Sequence, residues 1–215
     1  TASANDLSLA GNTINLSAGD ELATGNITIN QTLLSAAGEL SLGENSINLS
    51  GGDLDTGAIT IGQSALSATE ISLDSNFIGV GADSLNTDSG TLGINQTNIS
   101  ANEIQIGQNT ISVGTYYLGA GDIAISQENL SAADGELSIA GNTITLYNDD
   151  IDSYNISVNQ FELSASANIT LGNNLISVDT GSLYADNVGI SQEEISANEI
   201  QIGQNTINVS TDDYL

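Results

Sequence analysis

Large aliphatic residues alternate with small or polar residues in short steps along the whole chain. Steps such as Ile104-Gln105-Ile106 and Ile200-Gln201-Ile202 place two aliphatic side chains on the same face of an extended strand. The steps are separated by Gly-Asp and Ala-Gly pairs, which favour turns. No run of aliphatic residues follows the helical period of about 3.6 residues, so the pattern predicts an all-β fold.

The polar residues show that this pattern repeats about every 32 residues. The segment from Ile99 to Ile111 recurs unchanged from Ile195 to Ile207, an offset of 96 residues, or three times 32. A step Asn-x-Ile occurs seven times, at Asn12, Asn45, Asn76, Asn109, Asn142, Asn174 and Asn205. A motif Gln-x-x-(Leu or Ile)-Ser-Ala lies between these steps six times, at Gln31, Gln63, Gln96, Gln127, Gln160 and Gln192. About six and a half copies of one unit therefore form a single repetitive domain over residues 1–215.

Strands this short cannot bury a core alone, so we expect the copies to stack as a parallel β-solenoid. Equivalent residues of successive coils then lie about 4.8 Å apart, and the recurrent aliphatic residues form continuous apolar columns. The asparagines and glutamines of the two motifs are expected to form structural amide ladders, in which each buried amide donates to the next. Each unit has two related halves, which leaves a coil of about 16 residues as an alternative, but the separate motifs favour a coil of about 32 residues.

Composition narrows the classes of function. The chain has 27 Asp and Glu residues and no Lys, Arg, His, Cys, Pro, Met or Trp. Because no side chain is positively charged at neutral pH, we expect neither nucleic acid nor an anionic membrane surface as a partner. No apolar run approaches the roughly 18 residues of a membrane span, so we expect no membrane insertion. Familiar nucleophile–base pairs and phosphate clamps need the residue types that the chain lacks, so we do not expect an enzyme.

Aspartates are concentrated in one connection of each unit, between the Asn-x-Ile step and the next Ile-x-Ile step. They are Asp20, Asp53, Asp55, Asp83, Asp122, Asp149, Asp150, Asp152, Asp179 and Asp186. Stacking is expected to align them into an acidic stripe, for which calcium is a natural counter-ion because it prefers oxygen ligands. The alternative is a solvated acidic edge that keeps the protein soluble, since no EF-hand or Gly-Gly-x-Gly-x-Asp motif occurs. No other cofactor is expected.

Two further surface features leave functions open. Ten Asn-x-Ser/Thr sequons are potential glycosylation sites: Asn15, Asn26, Asn30, Asn48, Asn95, Asn98, Asn129, Asn155, Asn168 and Asn208.

The outward positions between paired aliphatic residues form two ranks. One rank reads Thr28, Thr60, Gly93, Ala124, Ser157 and Gly189, and the other reads Ser8, Ser41, Ser72, Gln105, Ser138, Thr170 and Gln201. Neither is the array of threonines expected on an ice-binding surface.

Two runs of sequence resemble a known group of proteins. AGNTINLSAGD, from Ala10 to Asp20, and TGNITINQTLLSAAG, from Thr24 to Gly38, are similar to the repeats of filamentous-haemagglutinin-type adhesins. The resemblance covers nearly the whole chain and implies a secreted bacterial β-helix. The repeats of that family are usually shorter and include basic residues, and no functional residue of the family maps onto this chain.

Neither end of the sequence shows an atypical capping copy. The first residues, Ser3-Ala4-Asn5-Asp6-Leu7, already match Ser100-Ala101-Asn102-Glu103-Ile104, whereas soluble solenoids usually protect their ends. Two explanations fit: a piece of a longer array, or a subunit whose open ends stack head to tail into a filament. We therefore predict an extracellular or cell-surface structural or adhesive fibre protein whose partner is itself. The alternative is a monomeric module that binds calcium, a glycan or a flat surface such as ice.

Overall fold

A computed structural model of the chain describes residues 2–212, with side chains described from Asn5 onward. The described residues form strands joined by turns and bends. The strands are β1 (Ala2–Ala4), β2 (Leu7–Leu9), β3 (Thr13–Ser17), β4 (Glu21–Ala23), β5 (Ile27–Ala36), β6 (Glu39–Leu42), β7 (Asn45–Asp55), β8 (Ile59–Ser67), β9 (Glu70–Leu73), β10 (Asn76–Asn86), β11 (Leu92–Ala101), β12 (Glu103–Ile106), β13 (Asn109–Ala132), β14 (Leu137–Ala165), β15 (Asn168–Ser196), β16 (Glu199–Ile202) and β17 (Asn205–Thr211). Over residues 2–212, no helix is long and apolar enough to cross a membrane.

Each strand pairs in parallel with the equivalent strand of the next coil. Asn45 of β7 lies opposite Asn76 of β10, and Asn76 lies opposite Asn109 of β13. Gln31 of β5 lies opposite Gln63 of β8, which is 32 positions further along the chain. The molecule is a parallel β-solenoid whose coil spans the whole repeat unit, which confirms the predicted fold and the larger of the two coil sizes.

The interior of the solenoid is divided into two apolar cores. One core contains the aliphatic residues that follow each Asn-x-Ile asparagine and precede each motif glutamine, such as Ile47, Leu54 and Ile61. The other contains those on the opposite side of the same amides, such as Leu66 and Leu73. The asparagines and glutamines stand where the chain passes from one core to the other, so they form the partition between the two cores.

The corner after each motif glutamine has a left-handed backbone conformation. Six non-glycine residues at the same position of the repeat have φ between 53° and 56°: Leu33, Ala65, Asn98, Asn129, Glu162 and Glu194. This conformation costs most L-residues about 1–2 kcal/mol and is tolerated best by glycine and asparagine. It lets two successive residues face solvent before the chain turns inward again, as Thr32 and Leu33 do before the buried Leu34.

Candidate functional site

The structure places the predicted asparagines in one continuous ladder. The Nδ2 atom of each asparagine donates to the Oδ1 atom of the asparagine in the next coil, at 2.9 to 3.1 Å. The ladder extends from Asn12 to Asn205, and its members between Asn45 and Asn174 are buried. Five hydrogen-bonded neighbours in a row satisfy amides that would otherwise be costly to bury.

The predicted glutamines form a second ladder beside the first. The Nε2 atom of each glutamine from Gln63 to Gln192 donates to the Oε1 atom of the glutamine in the preceding coil, at 2.6 to 2.9 Å. Each asparagine from Asn45 onward also donates across the coil to the preceding glutamine, at 2.6 to 3.1 Å. The two ladders are therefore cross-linked into one hydrogen-bonded wall through the centre of the solenoid.

The two ladders donate in opposite directions along the axis. Asparagine amides donate toward the C-terminal end, and glutamine amides donate toward the N-terminal end. Gln31 occupies the first position of its ladder, and its buried Nε2 atom has no hydrogen-bond partner among the described residues. An equivalent glutamine in a coil beneath it would supply the acceptor, as Gln31 Oε1 does for Gln63.

The expected alignment of the ten aspartates into one acidic stripe is wrong, because no two of them face each other in register. Asp53 lies opposite Glu21 and Ser84, and Asp55 lies opposite Ala23 and Asn86. Asp122 lies opposite Asn155, and Asp150 lies opposite Tyr117 and Ser182. Asp152 lies opposite Gly119 and Tyr184, and Asp179 lies opposite Tyr147 and Ser210. Asp20, Asp83, Asp149 and Asp186 also lie on the connection, with no other aspartate of the set at the level above or below. Neutral neighbours relieve three of the charges directly, because Ser84 donates to Asp53 at 2.8 Å, Asn155 donates to Asp122 at 2.7 Å, and Ser182 donates to Asp150.

A different set of carboxylates does stack in register. Glu39 lies opposite Glu70, and Glu70 lies opposite Glu103. The register of the adjoining residues continues this glutamate column to Asp6 at one end and to Glu136 at the other. Asn168 then interrupts it by donating to Glu136 at 3.0 Å. No group of three or more acidic side chains within residues 2–212 is arranged to hold a metal ion, and calcium binding stays a prediction.

Tyrosines are gathered in one stretch of the last three complete coils, between the repeat positions of Tyr147 and Tyr154. The five described tyrosines, Tyr116, Tyr117, Tyr147, Tyr154 and Tyr184, are exposed by 42 to 73%. Tyr214 lies outside the described residues. The adjacent pair Tyr116-Tyr117 is visible in the sequence, but only the register of the coils brings all five tyrosines to one part of the surface. We call these five residues the tyrosine corner.

A groove of about 340 Å³ lies in the tyrosine corner between two of its rings. Its lining includes Tyr116, Tyr147, Asp83, Asp149 and Gly114. The register of the flanking residues puts Tyr116 level with Asp83 in the preceding coil and with Asp149 in the next. A smaller groove of about 140 Å³, which includes Tyr117, Tyr154 and Asp152 in its lining, lies on the same corner.

The remaining surface features lie on the outer faces of the strands. Both outward ranks are registered columns, so the surface is regular in geometry and mixed in chemistry. Among the sequons, Asn98 and Asn129 are exposed at left-handed corners, and Asn15, Asn26, Asn30 and Asn208 are exposed elsewhere. The side chains of Asn48, Asn95, Asn155 and Asn168 are half-buried between neighbouring coils.

Compared with known proteins, the chain matches no family model, and no curated protein and no solved structure is significantly similar to it. The resemblance to filamentous-haemagglutinin-type adhesins therefore rests on the sequence runs alone.

Proposed function

We propose that the chain is a non-catalytic structural protein of an extracellular fibre, which extends by end-to-end stacking of coils from successive copies. The proposal rests on the interior of the solenoid, where the same hydrogen bonds and the same apolar contacts recur from coil to coil. Asn76, Asn109 and Asn142 make the same ladder bonds, and the same apolar columns surround them. Each coil is therefore a complete template for another coil of the same repeat.

The surface at the C-terminal end of the described stack supports assembly by this route. Ile200 and Ile202 of β16 are exposed by 42% and 46%, whereas Ile104 and Ile106 at the same position of the repeat are exposed by 0% and 3%. An uncovered parallel strand also presents unpaired backbone groups to another strand. A coil from a second copy would cover the aliphatic side chains and pair the backbone in one step.

Composition supports an extracellular location. The chain has no Lys or Arg, and so it offers no site for trypsin-like proteases. Its charge of −27 keeps the sides of neighbouring rods apart, while the apolar ends remain able to associate. The same charge disfavours contact with nucleic acid or an anionic membrane.

Electron microscopy of the purified chain tests the proposal. We expect unbranched filaments, whose diffraction shows the strand spacing of about 4.8 Å along the axis. Ile202→Glu places a charge on the stacking surface and should leave only short rods, on the order of 30 Å long. Gln201→Glu is the matched control, because Gln201 lies opposite the exposed Thr170 and so faces outward from the same strand. This control should still form filaments.

Short rods from the unaltered chain at every protein and salt concentration would contradict the proposal. Filaments that form equally well with Ile202→Glu would show that the rods associate through another surface. The same grids prepared with and without millimolar calcium test the calcium prediction separately, since calcium-dependent filaments would assign the ion a role in assembly.

A further inference from the structure

We propose that the tyrosine corner is a binding site for a neutral saccharide, with Tyr116 and Tyr147 stacking on sugar rings. The hydroxyl groups of the sugar would donate to the carboxylates of Asp83 and Asp149. This inference concerns the side of the rod and does not depend on assembly at its ends.

The stack itself does not require these tyrosines. Tyr147 lies opposite Gly114 in one neighbouring coil and opposite Asp179 in the other, and Tyr117 lies opposite Ser84 and Asp150. Tyr147 is exposed by 70%, so its ring contributes little to the cores. Large exposed aromatic groups gathered on one surface are typical of a site that meets a partner.

The lining of the groove carries no side chain at Gly114. Gly81 and Gly114 lie opposite each other in successive coils. A Cβ atom added at Gly81 would meet nothing within 4 Å, and one added at Gly114 would meet only the backbone oxygen of Tyr147 at 4.0 Å. Packing therefore does not demand glycine at either position, although glycine weakens a strand interior. A close approach of another group to the backbone is one of the reasons for which glycine occurs in a strand, beside bulges and tight bends.

The chemistry of the groove selects the class of ligand. The phenol faces of Tyr116 and Tyr147 suit an apolar surface such as the C–H face of a pyranose ring. The carboxylates of Asp83 and Asp149 are acceptors only, so the ligand must supply hydrogen-bond donors. With 27 acidic residues and no basic ones, the chain repels anionic ligands such as uronic or sulfated sugars. An uncharged, hydroxyl-rich ligand with apolar faces meets all three conditions.

Two adjoining grooves favour a saccharide of several units over a single sugar. The larger groove has a volume of about 340 Å³, which falls at the lower end of the range for ligand sites, about 300–1,000 Å³. The smaller groove beside it repeats the same combination of aromatic and acidic side chains, in Tyr117, Tyr154 and Asp152. Tyr116 of the larger groove and Tyr117 of the smaller groove are adjacent in the chain, so a saccharide of several units that reaches past them would contact both aromatic sets.

Tyrosine fluorescence provides a direct test, because the chain has six tyrosines and no tryptophan. We expect titration with at least one of cellopentaose, mannopentaose or N-acetylchitopentaose to change the emission, with a Kd near a millimolar. Gly114→Val should place a side chain in the groove and weaken that binding by about tenfold or more, as blocking a central contact does. Tyr116→Ala combined with Tyr147→Ala should have the same effect, measured by calorimetry because the reporting tyrosines are lost.

Gly189→Val is the matched control for Gly114→Val. Gly189 also lies in a strand, a Cβ atom there would meet nothing within 4 Å, and it lies outside both grooves of the tyrosine corner. The control should bind with the affinity of the unaltered chain, and circular dichroism should show the same fold for both glycine variants. Saccharide binding that survives Gly114→Val and the double tyrosine variant would overturn the proposal.

A cationic ligand is the competing outcome, because tyrosine faces and carboxylates also attract ammonium groups. Binding of choline that is lost at high salt, together with no response to the three saccharides, would overturn the saccharide proposal. Absence of any response to all four probes would overturn it as well.

Discussion

Gln96 shows how many hydrogen bonds a single buried amide makes between coils in this molecule. Its Oε1 atom accepts hydrogen bonds from Asn109 at 3.0 Å and from Gln127 at 2.9 Å. Its Nε2 atom donates to Gln63 at 2.8 Å. One amide therefore ties together three successive coils, and its full burial leaves no route for solvent to replace any of the bonds.

We expect Gln96→Leu to lower the free energy of unfolding by about 3 kcal/mol, because it leaves two buried N–H groups without an acceptor. Thermal or urea unfolding measures the loss. Gln105→Leu is the control, since Gln105 is exposed on the outer face of β12, and it should change stability by less than about 0.5 kcal/mol. Equal stability of the two variants would mean that the amide wall does not stabilise the fold.

The sequence was sufficient to predict the ladder residues but not the corner beside them. Asparagine and glutamine recur at the repeat spacing, so stacking places identical amide side chains next to each other in successive coils. Left-handed conformations occur at the next corner in Leu33, Ala65 and Glu162, residue types that do not favour them. Only Asn98 and Asn129 carry a local signal for that conformation, and the coil imposes it at the other positions.

Among the structural elements, the glutamate column brings like charges together in register. Glu39, Glu70 and Glu103 are paired at the starts of β6, β9 and β12, and no basic side chain exists to offset their repulsion. Like charges directly opposite each other on adjacent strands destabilise a sheet. The fold tolerates the column because its carboxylates lie at the surface, where water and salt screen them.

Neutralising the middle of the glutamate column should stabilise the protein. We expect Glu70→Gln to raise the free energy of unfolding by about 0.2–1 kcal/mol, with a smaller gain at high salt because screening already weakens the repulsion. Glu128→Gln is the control, because Glu128 lies opposite Thr97 and Phe161 and has no acidic partner in register. Denaturation at low and high ionic strength distinguishes the two. A gain for Glu70→Gln that is independent of salt would refute the electrostatic explanation.

The two acidic sets differ in how well the local sequence fixes their register. An acidic residue stands directly before the aliphatic step in Glu39-Leu40, Glu70-Ile71 and Glu103-Ile104, a signal that fixes register. The aspartates share only the connection in which they occur, which does not fix their register. Asp83 lies one residue before Ser84, the true partner of Asp53, and a shift of one residue moves a side chain out of the column.

At the scale of the whole molecule, the coil is the unit that can be added or removed. Deleting residues 76–108 joins Ser75 to Asn109 and so removes the whole coil between two successive ladder asparagines. We expect the shortened chain to fold, with the rod shorter by about 4.8 Å, because each coil contacts only its neighbours. Small-angle scattering and circular dichroism measure length and fold.

A deletion of half a coil is the control for this prediction. Removing residues 76–91 places Leu92 after Ser75, so that aliphatic residues fall where asparagines belong in the ladder. We expect this chain to be poorly folded, because buried amides then face apolar partners. A well-folded protein after the half-coil deletion would show that register does not depend on the amide wall.

The opposite directions of donation in the two ladders also have a consequence for the electrical character of the rod. Each primary amide has a dipole, and dipoles aligned along one axis add, as peptide dipoles do in a helix. The asparagine dipoles add toward one end of the rod and the glutamine dipoles add toward the other, so the two sums oppose each other. Lengthening the rod therefore builds up no macroscopic dipole from its buried amides, and the interior favours neither a preferred length nor antiparallel pairing of rods.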